Sequence, residues 1–283
     1  MGRAAPAAVR MTQPEELLEI AVEAARMAGG LLTQRVIAGA ERDVSSKSTP
    51  TDLVSEADLA AERAISELLA QRRPQDGFLG EEGGSEESSS GLTWVVDPLD
   101  GTVNFLFGIP QWCVSVAVRD ERWALAGAVF DPNRQELFTA TRGGPALLHV
   151  DAVNTELRGR TEDPHGGDQG QAGLSGAMVA TGLAYDATVR AAQAQVLARL
   201  APEVRDIRRL GSAALDLCWT AAGRYDAYFE RTVKPWDIAA GSLICERAGL
   251  SVLELEPAEN LPWGILAARP GLAEPLLEIV GRD

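Results

Sequence analysis

Two periodicities divide the chain and limit the folds open to it. From residue 93 to 141 four strand-length apolar runs follow one another, at 93–96, 112–119, 123–130 and 135–141. Up to residue 141, helical spacing is confined to two segments ahead of them. The first is predicted over 12–40, where Leu17, Leu18, Ala21, Ala24, Ala25 and Ala28 share a face. Thr12 and Glu15 read as its capping box, with Pro14 in the first turn. The second opens near Ser55, in "SEADLAAERAISELLAQRR". Beyond residue 176 the pattern changes. Strand-length runs ("GAMVATG", "VRDIRR", "YDAYFE", "GILAA") alternate with helix-length ones ("DATVRAAQAQVLARL", "SAALDLCWTAAG", "PWDIAAGSLICERAG"). A short helix ends the chain. This order predicts α/β layering in one domain over 12–283 with two subdomains, about 12–150 and about 176–283, and a cleft between them. Residues 1–11 read as a disordered leader, and the glycine-rich, charged stretch 156–176 as a mobile connection.

The formal net charge of −15 repels nucleic acid and anionic membranes, and it obliges any phosphate ester to find local positive charge. Cys113, Cys218 and Cys245 each lie in an apolar segment with no C-x-x-C pairing, as reduced thiols of a cytoplasmic protein would. His149 and His165 read as surface or loop residues, so histidine-based zinc sites and Ser-His-Asp chemistry lack their groups. No window is apolar enough for a membrane span, and "MGRAAPAAVR" has no signal-peptide core.

The chemistry concentrates in "TWVVDPLDGTVNF". The apolar run Trp94-Val95-Val96 ends at Asp97, and Pro98 has no N–H to continue a ladder. The expected consequence is a turn that brings Asp100 to the same side as Asp97. Gly101 and Thr102 then open a helical turn, whose free N–H groups suit an anion. Two hard oxygen ligands beside an oxyanion cradle suit magnesium, which takes one or two carboxylates, waters and phosphate oxygens. Glu81 and Glu82, Asp237 and Asp58 are unremarkable alone: solvated acids, or acids in the first turn of a helix. As a set, they fall where strands or loops meet helices, and in layered α/β folds such edges converge on one cleft.

These residues resemble the inositol monophosphatase family over most of the chain. Its core motif stands here as "WVVDPLDGTVNF" and its second as "KPWDIAAG", with "KSTPTDLVSEAD", "LGEEG" and "RRLGSAALDLCWTAAGRYDAYFE" in the family's order. The resemblance implies an αβαβα sandwich, usually a homodimer, often lithium-sensitive, acting on a small-molecule phosphomonoester. It implies two to three Mg²⁺ ions per site. Glu81, Asp97 and the carbonyl of Leu99 would hold the first, Asp97, Asp100 and Asp237 the second, and Glu81 with waters a looser third. The ions would neutralise the phosphate, activate a water and stabilise the leaving oxygen. Gly101 and Thr102 would take the phosphate through N–H groups, and Thr102 with Asp58, or Glu81, would orient and deprotonate the water. Gly211, Ser212, Ala213, Glu230 and Asp237 match positions against the alcohol. One stretch departs from the family: after "RGGPA" the usual Asn-Gly hairpin signal is missing, leaving a long polar segment of unassigned conformation.

"LDGT" is also part of the D-x-D-G-T signature of phosphatases with an aspartate nucleophile, but Pro98 occupies the nucleophile's position here. Within the family's fold, inositol monophosphate leads histidinol phosphate and broader sugar-phosphate specificity. Substrates with a second phosphate need cations, and near the motifs only Lys47, Arg231, Lys234 and the run Arg205/Arg208/Arg209 offer them. A non-catalytic, protein-binding regulator is the reading from another class; the full set Glu81, Asp97, Asp100 and Asp237 argues against it.

Overall fold

The computed structural model describes residues 13–38, 44–46, 53–160 and 173–281. Thr12 of the expected capping box, Lys47, His165, the leader and most of the 156–176 stretch lie outside them. Helices α1 (Pro14–Ala38) and α2 (Glu56–Arg72) flank an antiparallel pair, β1 (Val44–Ser46) and β2 (Leu53–Ser55). An eight-stranded sheet follows: β3 (Gly77–Gly80), β4 (Ser85–Glu86), β5 (Thr93–Asp100), β6 (Cys113–Arg119), β7 (Ala124–Asp131), β8 (Glu136–Thr141), β9 (Leu147–Val150) and β10 (Val153–Glu156). Its order is β10-β9-β8-β7-β6-β5-β3-β4, a meander closed on one side by the parallel pair β3 and β5. The short helix α3 (Thr102–Phe107) leaves β5.

The later part of the chain forms a five-stranded sheet from β11 (Met178–Thr181), β12 (Asp206–Arg208), β13 (Ala227–Arg231), β14 (Ser251–Leu255) and β15 (Gly264–Ala268), in the order β12-β11-β13-β15-β14. Helices α4 (Ala187–Leu200), α5 (Ala213–Ala221), α6 (Pro235–Arg247) and α7 (Ala273–Val280) alternate with these strands, except that β15 follows β14 directly.

Strand alternation sorts the apolar side chains into three cores. Trp94, Val96, Val114, Val116 and Val118 point to α1 and α2, where Leu17, Ala21, Ala24, Ala28 and Ile65 meet them. Their neighbours Val95, Cys113, Ala117 and Val129 point the other way, onto Leu215, Leu217, Leu243 and Ile244 of α5 and α6. The same two helices receive Tyr228, Ile265 and Ala267 from the second sheet. Val179, Ala227, Phe229 and Leu266 face outward onto Val196, Leu200 and Leu276 of α4 and α7. The result is the expected αβαβα sandwich: helices, sheet, helices, sheet, helices. Each leucine of the middle layer contributes about 2 kcal/mol by burial. The three cysteines are buried and free. Among the described residues no helix is long and apolar enough to cross a membrane.

One local expectation needs correction, and the unassigned segment takes a definite form in its first residues. The β5 strand does not end at Val96; it runs through Pro98 to Asp100. The polar segment after "RGGPA" does begin with a hairpin, β9 paired to β10 from Val150↔Val153 to Leu147↔Glu156. Its turn is made by Asp151 at φ 51°, a left-handed conformation that aspartate tolerates better than most residues, so no Asn-Gly pair was needed.

Candidate active site

The bulge in β5 creates the site. Asp97 pairs with Ser115 of β6 and Asp100 with Cys113, so three steps along one strand oppose two along the other. In a regular strand residues 97 and 100 would point to opposite faces. The extra residue cancels that inversion, and both aspartates face the middle layer. Pro98 sits inside the irregularity, where its missing N–H breaks no ladder bond. The Leu99 N–H turns back to donate to Asp97 Oδ1 at 3.0 Å.

The register of β3 adds the third acid. Gly80 lies beside Val96 in the parallel pair, and the Glu81 N–H donates to the Val96 carbonyl at 3.2 Å. This seats Glu81 next to Asp97. From the second half of the chain, Asp237 arrives in the first turn of α6, its Oδ2 accepting the Lys234 N–H at 2.6 Å.

Gly101 has φ 102°, and a side chain there would strike the Gln111 carbonyl at 2.9 Å, so the bend into α3 needs glycine. Thr102 follows, and its hydroxyl reaches Asp58 Oδ1 at 2.9 Å and the Leu99 carbonyl at 3.1 Å. Glu230, near the end of β13, accepts from the Tyr228 hydroxyl at 2.8 Å.

Ten of the twelve expected residues line one cleft of about 250 Å³: Glu81, Asp97, Leu99, Asp100, Gly101, Thr102, Gly211, Ala213, Glu230 and Asp237. Two stand behind it. Asp58 is buried under Thr102. Ser212 is buried too, and its hydroxyl donates to Asp100 Oδ2 at 2.6 Å instead of facing the cleft. Arg231, expected near the site, is drawn into the core, where its guanidinium donates to the carbonyls of Glu256, Pro262 and Val280. The sequence reading missed Tyr185 and Trp236 on the cleft wall, and it had not singled out Arg209 from its neighbours. The available signal was positional. The cleft gathers the carboxyl ends of β3 and β5 from one sheet and of the parallel strands β11, β12 and β13 from the other, and Tyr185 and Arg209 sit just past such ends.

The cleft is acidic. Burial raises the Asp97 carboxyl well above the usual range, and the charges of Glu81, Asp100 and Asp237 push it the same way. Burial lifts Asp100 to about 6, against the pull of the Ser212 hydroxyl and the Ala214 N–H. Asp237 is raised by desolvation, then by Glu81 and Asp100. Glu230 is lifted by burial to about 7, opposed by the Tyr228 hydroxyl.

Among the described residues no three His, Cys, Asp or Glu side chains close up as a finished metal cage. Asp100 is turned toward α5, accepting from Ser212, Ala213 and Ala214, and Asp237 toward its own helix start. The donor set still fits a hard divalent cation. It consists of oxygens, its charges repel one another, and magnesium needs only a few protein ligands because it retains waters and takes phosphate oxygens.

The layered fold thus brings acids from both sheets to one cleft at converging strand ends. The sequence profile described as the inositol monophosphatase family matches residues 13–280, and the chain belongs to that family. It is 44% identical over 248 residues to the inositol-1-monophosphatase of Mycobacterium leprae, covering 84% of this chain and 81% of that one. It is 38% identical over 265 residues to the Nus factor SuhB of Escherichia coli, covering 92% and 94%. Among solved structures, Mycobacterium tuberculosis SuhB superposes with a TM-score of 0.79 at 37% identity, over 95% of this chain and 97% of that one.

Proposed function

We propose that this cleft hydrolyses a phosphate monoester of a small polyol, inositol monophosphate, to inositol and inorganic phosphate. The carrying observation is the bulge that turns Asp97 and Asp100 onto one face, beside Glu81 and ahead of Gly101-Thr102. Two to three magnesium ions would be held by Glu81, Asp97, the Leu99 carbonyl, Asp100 and Asp237. When bound, they supply the positive charge that neutralises the phosphate and activates a water.

The chain's own residues do the positioning. Asp58 accepts a hydrogen bond from the Thr102 hydroxyl, which leaves a threonine lone pair to accept from the attacking water and gives the water's proton a path toward carboxylate. Gly101 and Thr102 present N–H groups to the phosphate. Glu230, held by Tyr228, accepts from substrate hydroxyls, with Gly211 and Ala213 beside it. Glu230 would also accept from an amine, so histidinol phosphate is the alternative substrate. The protein is proposed to work as a single domain over 12–283, as a cytoplasmic homodimer sensitive to lithium, with no nucleic-acid or membrane partner.

The test is phosphate release from myo-inositol 1-phosphate, L-histidinol phosphate, fructose 1,6-bisphosphate and adenosine 3′,5′-bisphosphate, with magnesium, with chelator, and for Asp97→Asn. Magnesium-dependent turnover led by inositol phosphate and lost in the variant is expected. Preference for histidinol phosphate would move the substrate and keep the chemistry. No turnover by folded protein would favour the second reading, a protein-binding regulator, which the naming of the Escherichia coli relative as a Nus factor supports.

A further inference from the structure

The loop that carries Glu81 is held by a side chain outside the cleft. Glu62, on α2, is 7% exposed, and its carboxylate reaches across the helix–sheet interface to the turn after β3. Its Oε2 accepts the Glu82 N–H at 2.7 Å and its Oε1 accepts the Gly84 N–H at 3.1 Å. The same turn is closed by the Gly80 N–H on the Gly84 carbonyl at 2.8 Å. A Cβ added at Gly80 would lie 2.2 Å from Glu62 Oε2, and one at Gly84 would lie 2.8 Å from the Phe78 ring and 2.9 Å from Oε1. The two glycines therefore form the space the carboxylate fills.

We infer that Glu62 is a positioning residue for the cation site: by gripping the Glu82 and Gly84 amides it fixes the turn so that Glu81 faces Asp97. A charged acceptor suits the task, because one carboxylate offers two oxygens to two N–H groups at once. Glutamine offers one oxygen and turns an NH₂ toward the other amide. Alanine leaves two N–H groups without acceptors. Partners of this kind, one step back from a metal, typically change its affinity by about 10- to 100-fold.

This inference rests on the phosphatase reading of the site, and the experiment separates the two. Mn²⁺ is titrated calorimetrically into wild type, Glu62→Gln and Gly84→Ala. Amide hydrogen exchange at Glu82 and Gly84 is followed in the metal-free proteins. The expected result is faster exchange at both amides, Mn²⁺ affinity lower by about 10-fold or more, and a KM for the ester at saturating magnesium within twofold of wild type. Should Glu62→Gln not fold, Gly84→Ala crowds the same carboxylate from the loop side, together with the Phe78 ring, and is judged by the same readouts. Unchanged exchange and unchanged Mn²⁺ affinity in a folded variant would overturn the positioning role alone. A wild type that binds no Mn²⁺ and hydrolyses no ester would overturn the functional reading, and this inference with it.

Discussion

The Thr102 hydroxyl donates to Asp58 Oδ1 at 2.9 Å, joining the first residue of α3 to the first turn of α2. Both side chains are buried, and the bond crosses between elements that sequence separates by 44 residues. If the pair orients the attacking water, Thr102→Val and Asp58→Asn should each lower kcat by about 10²- to 10⁴-fold and leave KM within about threefold. They should differ in stability. Asparagine still offers Thr102 an acceptor oxygen, whereas valine leaves the buried Asp58 without this donor and costs about 1–3 kcal/mol. Steady-state kinetics and thermal unfolding of the two variants check this; KM effects larger than kcat effects would contradict the assignment.

How much of this was legible in the sequence depends on which interactions were local. "DPLDGT" announced two acids and a glycine bend, and helix α6 announced Asp237 through "KPWDIAAG", because those signals are contiguous. The means by which Asp97 and Asp100 come to share a face was misread as a turn. The bulge belongs to the pairing with Cys113 and Ser115, and no single strand encodes it alone. Strand β14 was missed because "SVLEL" lies at a sheet edge with only Leu255 buried, and β3 because "GFLG" is short and bounded by glycine. Arg231 looked like a candidate anion ligand because sequence does not tell an arginine that caps buried carbonyls from one that faces a cleft.

Titration of the cleft gives a signed prediction for metal-free protein. Asp100 is raised from 3.8 to about 6 and Glu230 from 4.5 to about 7, both chiefly by burial. Between pH 4 and 7 the folded state therefore holds protons that the unfolded chain has released. Their contribution to stability is fully present below about pH 4 and is lost as pH rises through 6 and 7. Urea unfolding in chelator, compared between wild type and Asp100→Asn from pH 4 to 8, isolates this slope: wild type should lose stability relative to the variant as pH rises. Magnesium requires the deprotonated carboxylates, so its stabilising effect on wild type should be largest at pH 8. A wild type that gains on the variant with rising pH in chelator would reverse the sign and refute the argument.

Arg231 permits a prediction about stability apart from catalysis. Its side chain is 2% exposed, and Nη1 donates to the Glu256 and Pro262 carbonyls at 2.7 and 2.9 Å while Nη2 donates to Val280 at 3.1 Å. The guanidinium thus ties the ends of β14 and α7 and the approach to β15 to β13. Arg231→Met keeps the bulk and removes the donors. It should cost about 3 kcal/mol through the orphaned carbonyls and leave turnover per folded molecule within twofold. Thermal unfolding together with active-site-normalised kinetics checks both halves; wild-type stability would mean that water replaces the guanidinium.

A Cβ on Gly182 would fall 1.9 Å from Cδ of Glu230 and 2.0 Å from each of its carboxylate oxygens. The Glu230 carboxylate therefore lies directly on the glycine, and the Tyr228 hydroxyl donates to its Oε2 at 2.8 Å. Gly182→Ala must displace the Glu230 carboxylate. None of Asp97, Asp100, Glu81 or Thr102 is among the atoms nearest the new methyl group. If Glu230 reads substrate hydroxyls, the substitution should raise KM for inositol 1-phosphate by about 10-fold or more, the loss of one or two hydrogen bonds to a charged group. Turnover of p-nitrophenyl phosphate, which offers no hydroxyls to read, should stay within twofold. Equal losses on both esters would mean that the methyl group disturbs the phosphate end, and Glu230 would lose its assignment as the residue that distinguishes one alcohol from another.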